Sequence, residues 1–497
     1  MKIRLKFILC ISIFLLLIPY SILAADDELE DLSDDSKTEE LADSDSDLDI
    51  EADKTTGSDE ESDSDESNVS VSFGGYAKGL VYWNQETYSD DLWSQFQVMS
   101  ASGMPAPAKQ DLSGYNALGS RLQLKVEGFL SDRARLFSAV NIDFNSATPI
   151  HSRSEVSNAG SQMGEVRMVE TYVEIYEGSR IWKIGSQILT WGYLEGFEVP
   201  TDRVNARDYS YKSTEYEDSK LPSTGVLLTQ SVGSSQLELM VIPVAQVNTD
   251  MPFRDYFFAG AEESPEHIPS NGKYAARFSS SAGNLDYALS YVEGIDPQPD
   301  IQDVTTQITF VNPATNALTV TTADLTGKTY HRIKSPGVDL QYNFGSWLAK
   351  ASAVGTITED ASGDSPFIKN NWSKVVVGAE FSIFENTVNL YAGQTTVENF
   401  PEDPILQQKS FLVGQIREQT NFISGHIYAD FLAGNALNMV FMGAVYQDQD
   451  GESMQTNVRA TFKYKIADGL EILISPAYMN LMENIFNDFQ AEVKYAF

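Results

Sequence analysis

From about Val69 to Phe497 the chain repeatedly alternates apolar and polar residues with a period of two. In Arg121-Leu-Gln-Leu-Lys-Val-Glu127, the residues Leu122, Leu124 and Val126 fall on one face, and Arg121, Gln123, Lys125 and Glu127 on the other. Val338-Asp-Leu-Gln-Tyr-Asn-Phe344 and Asn457-Val-Arg-Ala-Thr-Phe-Lys-Tyr464 repeat the pattern. Successive side chains of a strand point to opposite faces, so these segments need an apolar and a wet environment along their whole length.

The connections narrow the choice of fold. Tight polar turns fall near Ser131-Asp-Arg133, Glu177-Gly-Ser179, Val232-Gly-Ser-Ser235, Ser281-Ala-Gly-Asn284, Gly345-Ser346, Glu385-Asn386, Ala433-Gly-Asn435 and Ala467-Asp-Gly469. Between them lie longer loops around 85–116, 147–162, 190–222, 246–271, 294–331, 358–371 and 398–412, then two shorter ones near 447–452 and 481–485. A soluble sandwich has no reason to segregate loop lengths in this way. An all-β transmembrane antiparallel up-and-down barrel does, with short periplasmic turns and long extracellular loops. Counting segments predicts about 18 strands, or 16 if two weaker segments are misassigned. The last segment, Phe489-Gln-Ala-Glu-Val-Lys-Tyr-Ala-Phe497, places Phe489, Ala491, Val493, Tyr495 and Phe497 on one face. An aromatic final residue on such a strand resembles the assembly signal of bacterial outer-membrane barrels.

The N-terminus supports export. Lys2, Arg4 and Lys6 precede an apolar run from Phe7 to about Leu23, followed by Ala24 and Ala25, which predicts a signal peptide over residues 1–25. The single cysteine, Cys10, lies inside it, so no disulfide or thiolate site is expected in the mature chain. Residues 26–68 are expected to form a disordered acidic periplasmic tether. Residues 26–67 hold 21 acidic and 2 basic residues, a large share of the net charge of −37. The barrel then occupies 69–497. A chain this acidic would repel nucleic acid.

With the apolar face toward lipid, the other face carries the candidate lumenal residues Lys125, Glu127, Lys183, Gln187, Arg277, Asp339, Lys350, Glu380, Asp430, Arg459 and Lys463. Charges at this density require water or close partners, so an open or partly occluded aqueous interior is expected. Trp182, Tyr287, Phe344, Trp347, Phe384 and Phe497 fall near short-turn ends, and Tyr82, Trp83, Phe144 and Tyr291 near long-loop ends, the places of two interfacial girdles.

One stretch stands apart from this repetition. Lys183-Ile-Gly-Ser-Gln-Ile-Leu-Thr-Trp-Gly192 leads into Pro200-Thr-Asp-Arg-Val-Asn-Ala-Arg-Asp-Tyr209, and Val169-Glu-Thr-Tyr-Val173 precedes it. Over about residues 165–225 this resembles a group of porin-like proteobacterial outer-membrane proteins. The group includes the alginate-export barrels and a related uncharacterised family. In these a G-x-Q strand, often followed by W-G, opens a loop containing D, N and D. The chain departs from the pattern at Ala206, where proline is common, and in its acidic N-terminal segment. A loop of this length folding inward would make Asp202, Arg203, Asn205, Arg207 and Asp208 a mixed-charge pore constriction. In the alternative, Asp202–Arg203 and Arg207–Asp208 simply pair and cap turns within the loop. A second long loop carries Val304-Thr-Thr-Gln-Ile-Thr-Phe310 and Leu318-Thr-Val-Thr-Thr322, read as an extracellular hairpin.

Catalysis is not expected. His151, His267, His331 and His426 are scattered, and no metal-ligand spacing or nucleotide fingerprint occurs, so no cofactor or metal is implied. The expected function is an outer-membrane porin-like channel for passive passage of small hydrophilic solutes, with mild cation preference from the acidic balance. Two other readings stand beside it. One is the outer-membrane component of an export pathway for a hydrophobic compound or polysaccharide, as the resemblance implies. The other is a structural or adhesive barrel acting through its long loops. The expected partners are outer-membrane lipid, the barrel assembly machinery during biogenesis and small solutes. A homo-oligomer, and a periplasmic partner met through the acidic tether, stay open.

Overall fold

The computed structural model describes residues 70–87, 114–146, 165–195, 199–208, 219–248, 261–262, 269–302, 307–311, 318–322, 327–365, 368–384, 386–402, 415, 417–431, 437–481 and 484–497. The expected signal peptide and tether lie outside these residues, as does the turn expected at Ala433-Gly-Asn435.

Eighteen strands form one closed antiparallel sheet. The first five are β1 (Ser70–Thr87), β2 (Gly114–Ser131), β3 (Ala134–Ser146), β4 (Glu165–Glu177) and β5 (Arg180–Gln187). Next come β6 (Ser223–Val232), β7 (Ser235–Ile242), β8 (Lys273–Ala282) and β9 (Leu285–Ile295). These are followed by β10 (Arg332–Asn343), β11 (Trp347–Thr356), β12 (Trp372–Ile383), β13 (Asn386–Val397) and β14 (Gln419–Asp430). The last four are β15 (Leu437–Asp448), β16 (Ser453–Ala467), β17 (Leu470–Leu481) and β18 (Asn484–Ala496). Each strand pairs with its neighbours in sequence, and β1 pairs with β18 from Tyr76↔Ala496 to Thr87↔Ile485, which closes the barrel. At that seam Phe497 and Gly75 exchange both backbone hydrogen bonds at 3.0 Å, so the terminal residue is part of the closure. Closure removes the free edges that lipid could not satisfy.

The turn chemistry explains the short ends. Glu177↔Arg180, Val232↔Ser235 and Ala282↔Leu285 each close a two-residue loop. Gly178, Gly233 and Gly283, first in each loop, have φ near +60°. That is the first position of a type II′ turn, where glycine alone is free of a Cβ penalty. Outside the barrel wall, Gln307–Val311 pairs with Leu318–Thr322, forming the hairpin expected from the threonine-rich run. A small sheet also joins Asp300–Gln302, Gly327–Thr329 and Ala261–Glu262.

The two faces separate by alternation. Outward lie Phe73, Leu124, Val166, Ile184, Leu239, Phe278, Leu289, Leu340, Val375, Val377, Ile423, Ile474 and Val493, all exposed. Leaving such side chains in water forgoes roughly 1.5–3 kcal/mol each, so this belt belongs in lipid. Inward, Arg121 holds Asp143 through Nε and Nη2 at 2.6 and 3.0 Å, and Gln123 donates to Asn141. Lys78 pairs with Glu492 at 2.7 Å across the seam.

Aromatic groups gather at the short-turn end, where Tyr342 meets Phe344 and Trp347 stacks on Phe381, both at 4.4 Å between ring centroids. Tyr274 and Tyr291 are exposed near the long-loop end. Tyr82 corrects the girdle expected there: it is buried, and its hydroxyl donates to Asp488 at 2.8 Å on the lumenal face. Adjacent residues of a strand cannot both face lipid, so only one of Tyr82 and Trp83 could have joined the girdle. The side chains of Trp83 and Phe144 lie outside the described residues.

Candidate functional site: a strap across the barrel lumen

The wall stops early at β5. After Gln187, whose side chain is fully buried, the chain leaves the sheet, enters the lumen and rejoins the wall at Ser223. The described residues of this stretch, 188–195 and 199–208, therefore form a strap inside the barrel. Asn205 clamps its base: Oδ1 accepts from the Leu189 backbone N–H at 2.8 Å, while Nδ2 donates to the carbonyl of Leu221 at 2.8 Å, to Ser223 Oγ at 3.2 Å and to the carbonyl of Gln187 at 3.3 Å. Glu170 accepts from the Ile188 N–H at 2.9 Å.

Three sets of contacts hold the strap. Leu189, Trp191 and Val204 pack on an apolar patch of the inner wall made by Leu227, Met240, Ile242, Ala275 and Val292. Trp191 is 2% exposed. On another sector of the wall Leu194 is buried against Val376, Tyr391 and Phe422. Thr201 Oγ1 lies 2.9 Å from each oxygen of Asp339, which also accepts from Ser352 at 2.7 Å. Gly192 permits the turn between the first two sets. Its φ is +102°, and a Cβ there would sit 2.3 Å from Val199.

The five residues expected at a constriction are all on the strap. Asp202 is buried and pairs with Lys220 at 2.8 Å and Arg207 at 3.8 Å. Asp208 is buried and binds Arg167, which also reaches Asp143 at 3.5 Å. Arg203 places its guanidinium 4.9 Å from the centroid of Trp372. Asn205 is the base clamp. Four of these side chains thus contact groups off the strap, and Arg207 meets Asp202 within it.

The candidate lumenal residues share the inner face. Lys125 is exposed into the interior. Arg135 joins Glu127 and Glu174, each at 2.8 Å, and Lys183 adds to Glu174 at 3.1 Å while resting 4.2 Å from the Tyr172 ring centroid. Arg277 pairs with Glu238 at 3.7 Å, Lys350 with Glu380 at 2.6 Å and Lys463 with Glu471 at 3.1 Å. Arg459 donates to Ser475 at 3.3 Å, and Asp430 is exposed at the end of β14. His426 shares its face with Ser424 and Asp430 but packs edge-on to Tyr391, at 5.7 Å between ring centroids. Sequence reading did not single out Arg167, Lys220, Tyr391, Tyr428 or Glu195. One signal was available: Val226-Leu227-Leu228 and Leu239-Met240-Val241-Ile242 are apolar on both faces, and an apolar inner face needs a cover.

At the long-loop end, Lys369 Nζ lies 2.7 Å from Asp300 and 3.3 Å from Asp296, and donates to the Gln298 carbonyl at 2.7 Å. Burial pushes the Asp300 carboxyl above the usual aspartate range. Burial acts in the same direction on Asp296, but the nearby charges of Lys369 and Arg203 outweigh it and hold that carboxyl low. Asn370 and Gln415 exchange two hydrogen bonds, tying a further loop to this mouth.

No family model matches the chain, and no curated protein matches it in sequence. Solved structures do resemble it. OccAB4 of Acinetobacter baumannii superposes with a TM-score of 0.50 at 10% identity, over 86% of this chain and 98% of that one. OccAB1 of the same organism superposes with a TM-score of 0.50 at 10% identity, over 88% and 99%. The outer membrane protein opdK from Pseudomonas aeruginosa gives 0.48 at 11%, over 86% and 99%. At such identities the likeness is one of fold. With its closed 18-stranded wall and outward apolar belt, the chain has the fold of the porin-like outer-membrane barrels and is a protein of the cell outer membrane.

Proposed function

We propose that the protein is a channel for passive passage of small hydrophilic solutes, with mild cation preference. The carrying observation is the inner face: ionised and amide side chains line a closed wall of 18 strands, a number that can enclose an aqueous path. The strap narrows that path, and its segment carrying Asp202, Arg203, Asn205, Arg207 and Asp208 forms the constriction. The acidic balance of the chain supports the cation preference. Catalysis is not assigned. Solutes and membrane lipid are the proposed partners, and residues 26–68 are proposed as a periplasmic tether following a signal peptide. Purified protein in a planar bilayer is expected to give stepwise currents with a cation-leaning reversal potential. A clear anion preference would refute the preference.

One observation favours a second reading, the outer-membrane step of an export pathway. The strap makes apolar contacts with two sectors of the inner wall, and buried ion pairs such as Lys78–Glu492 and Arg121–Asp143 tie neighbouring strands on that face. An export component occluded at rest would give no current alone and would conduct only with a periplasmic partner present.

A further inference from the structure

The channel reading leaves open which charge a passing solute meets. Among the described residues of the strap only Thr190 and Glu195 are exposed, and only Glu195 is charged; its side chain is 45% exposed. Asp202 and Asp208 are buried in ion pairs. Glu195 follows Leu194, which is packed on the wall of β12 to β14, so the carboxylate is delivered to a fixed place in the lumen. Its Oε2 accepts from Asn389 Nδ2 at 2.9 Å and from the Tyr428 hydroxyl at 3.1 Å. Its Oε1 lies 3.9 Å from Lys350 Nζ, whose closer partner is Glu380 at 2.6 Å. Two carboxylates therefore share one ammonium, and the more exposed of the two is Glu195. Toward the long-loop end of the same sector, Lys374 rests 5.0 Å from the Phe422 ring centroid.

We infer that Glu195 is the specificity-determining residue of the lumen. Its carboxylate presents an excess negative charge to solutes and favours those carrying an ammonium or guanidinium group, while Lys350 tempers that charge from the wall side. The hydrogen bonds from Asn389 and Tyr428 hold the group in one orientation, so a solute meets a preorganised acceptor rather than a free side chain. This inference rests on the channel reading.

The test uses the full chain in planar bilayers, first under a potassium chloride gradient and then with arginine chloride replacing potassium chloride on one side. Glu195→Gln is expected to lower the cation-to-anion permeability ratio about two- to fivefold, the effect of one unit charge acting at roughly 4–8 Å through water. Lys350→Met is expected to raise the ratio, because both carboxylates then lack their shared cation. Asp468→Asn removes the same formal charge at a fully exposed periplasmic turn and is expected to leave the ratio unchanged. Current with an unchanged ratio in Glu195→Gln, or a ratio lowered by Lys350→Met, overturns the inference alone. No current from the unsubstituted protein overturns the channel reading itself.

Discussion

Thr201 on the strap donates its hydroxyl proton to Asp339 on β10, a contact made 138 residues away along the chain. Asp339 is fully buried and also accepts from Ser352. Replacing it with alanine leaves two buried hydroxyl donors without an acceptor, at about 1–3 kcal/mol each. Asp339→Ala is therefore expected to free this part of the strap. Limited proteolysis in detergent should cut between 196 and 220 faster than in the parent, with Asp339→Asn less affected.

The Asp202–Lys220 pair joins the outgoing and returning limbs at 2.8 Å, with both side chains buried. Removing one partner of such a pair strands a charge and costs about 3–5 kcal/mol. Lys220→Met should lower the urea midpoint of the folded barrel markedly. Asp202→Asn with Lys220→Met together should recover part of the loss, because neither charge remains.

Among the described residues Trp191 is the largest fully buried side chain, and it packs on the apolar patch of the wall. Trp191→Ala should cost about 3–5 kcal/mol and leave a cavity between strap and wall. Single-channel conductance should rise and become noisier. An unchanged conductance would show that the strap does not set the width of the path.

The extracellular lock at Lys369 should respond to pH in two directions. The Asp296 carboxyl is depressed, so its contribution is present above the ordinary aspartate pKa, near 3.9, and is lost as pH falls through the lower folded value. The Asp300 carboxyl is raised, so its contribution is present below the ordinary pKa and declines as pH rises through the folded value. Asp300→Asn should remove the decline at rising pH and keep the loss under acid. Amide exchange at 296–300 and 368–371, followed from pH 3 to 8, checks both arms.

Phe497 closes the seam by exchanging backbone bonds with Gly75. Deleting Phe497 leaves the Gly75 N–H and C=O unpaired at the membrane boundary, where each unpaired group is costly. The amount of folded barrel recovered from outer membranes should fall severalfold. A Phe497→Tyr chain, which keeps the backbone and an aromatic ring, should be recovered normally.

The wall was legible because each strand carries its own instruction. Arg121 to Glu127 alternate regardless of what lies elsewhere, and Gly178, Gly233 and Gly283 mark turns from local backbone cost alone. The strap was legible only as a long loop with D, N and D in it. Asp202 meets Lys220, Asp208 meets Arg167, and Glu195 meets Asn389 across 194 residues. Nothing in the nearest residues specifies those partners. Tyr82 shows the same limit at a single position, since an aromatic side chain near a strand end suits lipid or lumen until the register is known.

The sequence by itself therefore determined a period-two wall of about 18 segments, with 16 left open, the sorting of short turns from long loops, and which residues of a strand share a face. These follow from strand geometry and turn preferences, which act over two to four residues. Only the tertiary structure decided that the 188–208 segment crosses the lumen, that Asp202 and Asp208 are buried in ion pairs, and that Glu195 keeps its carboxylate exposed there. Those outcomes depend on barrel closure, which brings β5, β10 and β13 around one interior and lets an apolar patch at Leu227 and Met240 recruit Trp191 as its cover.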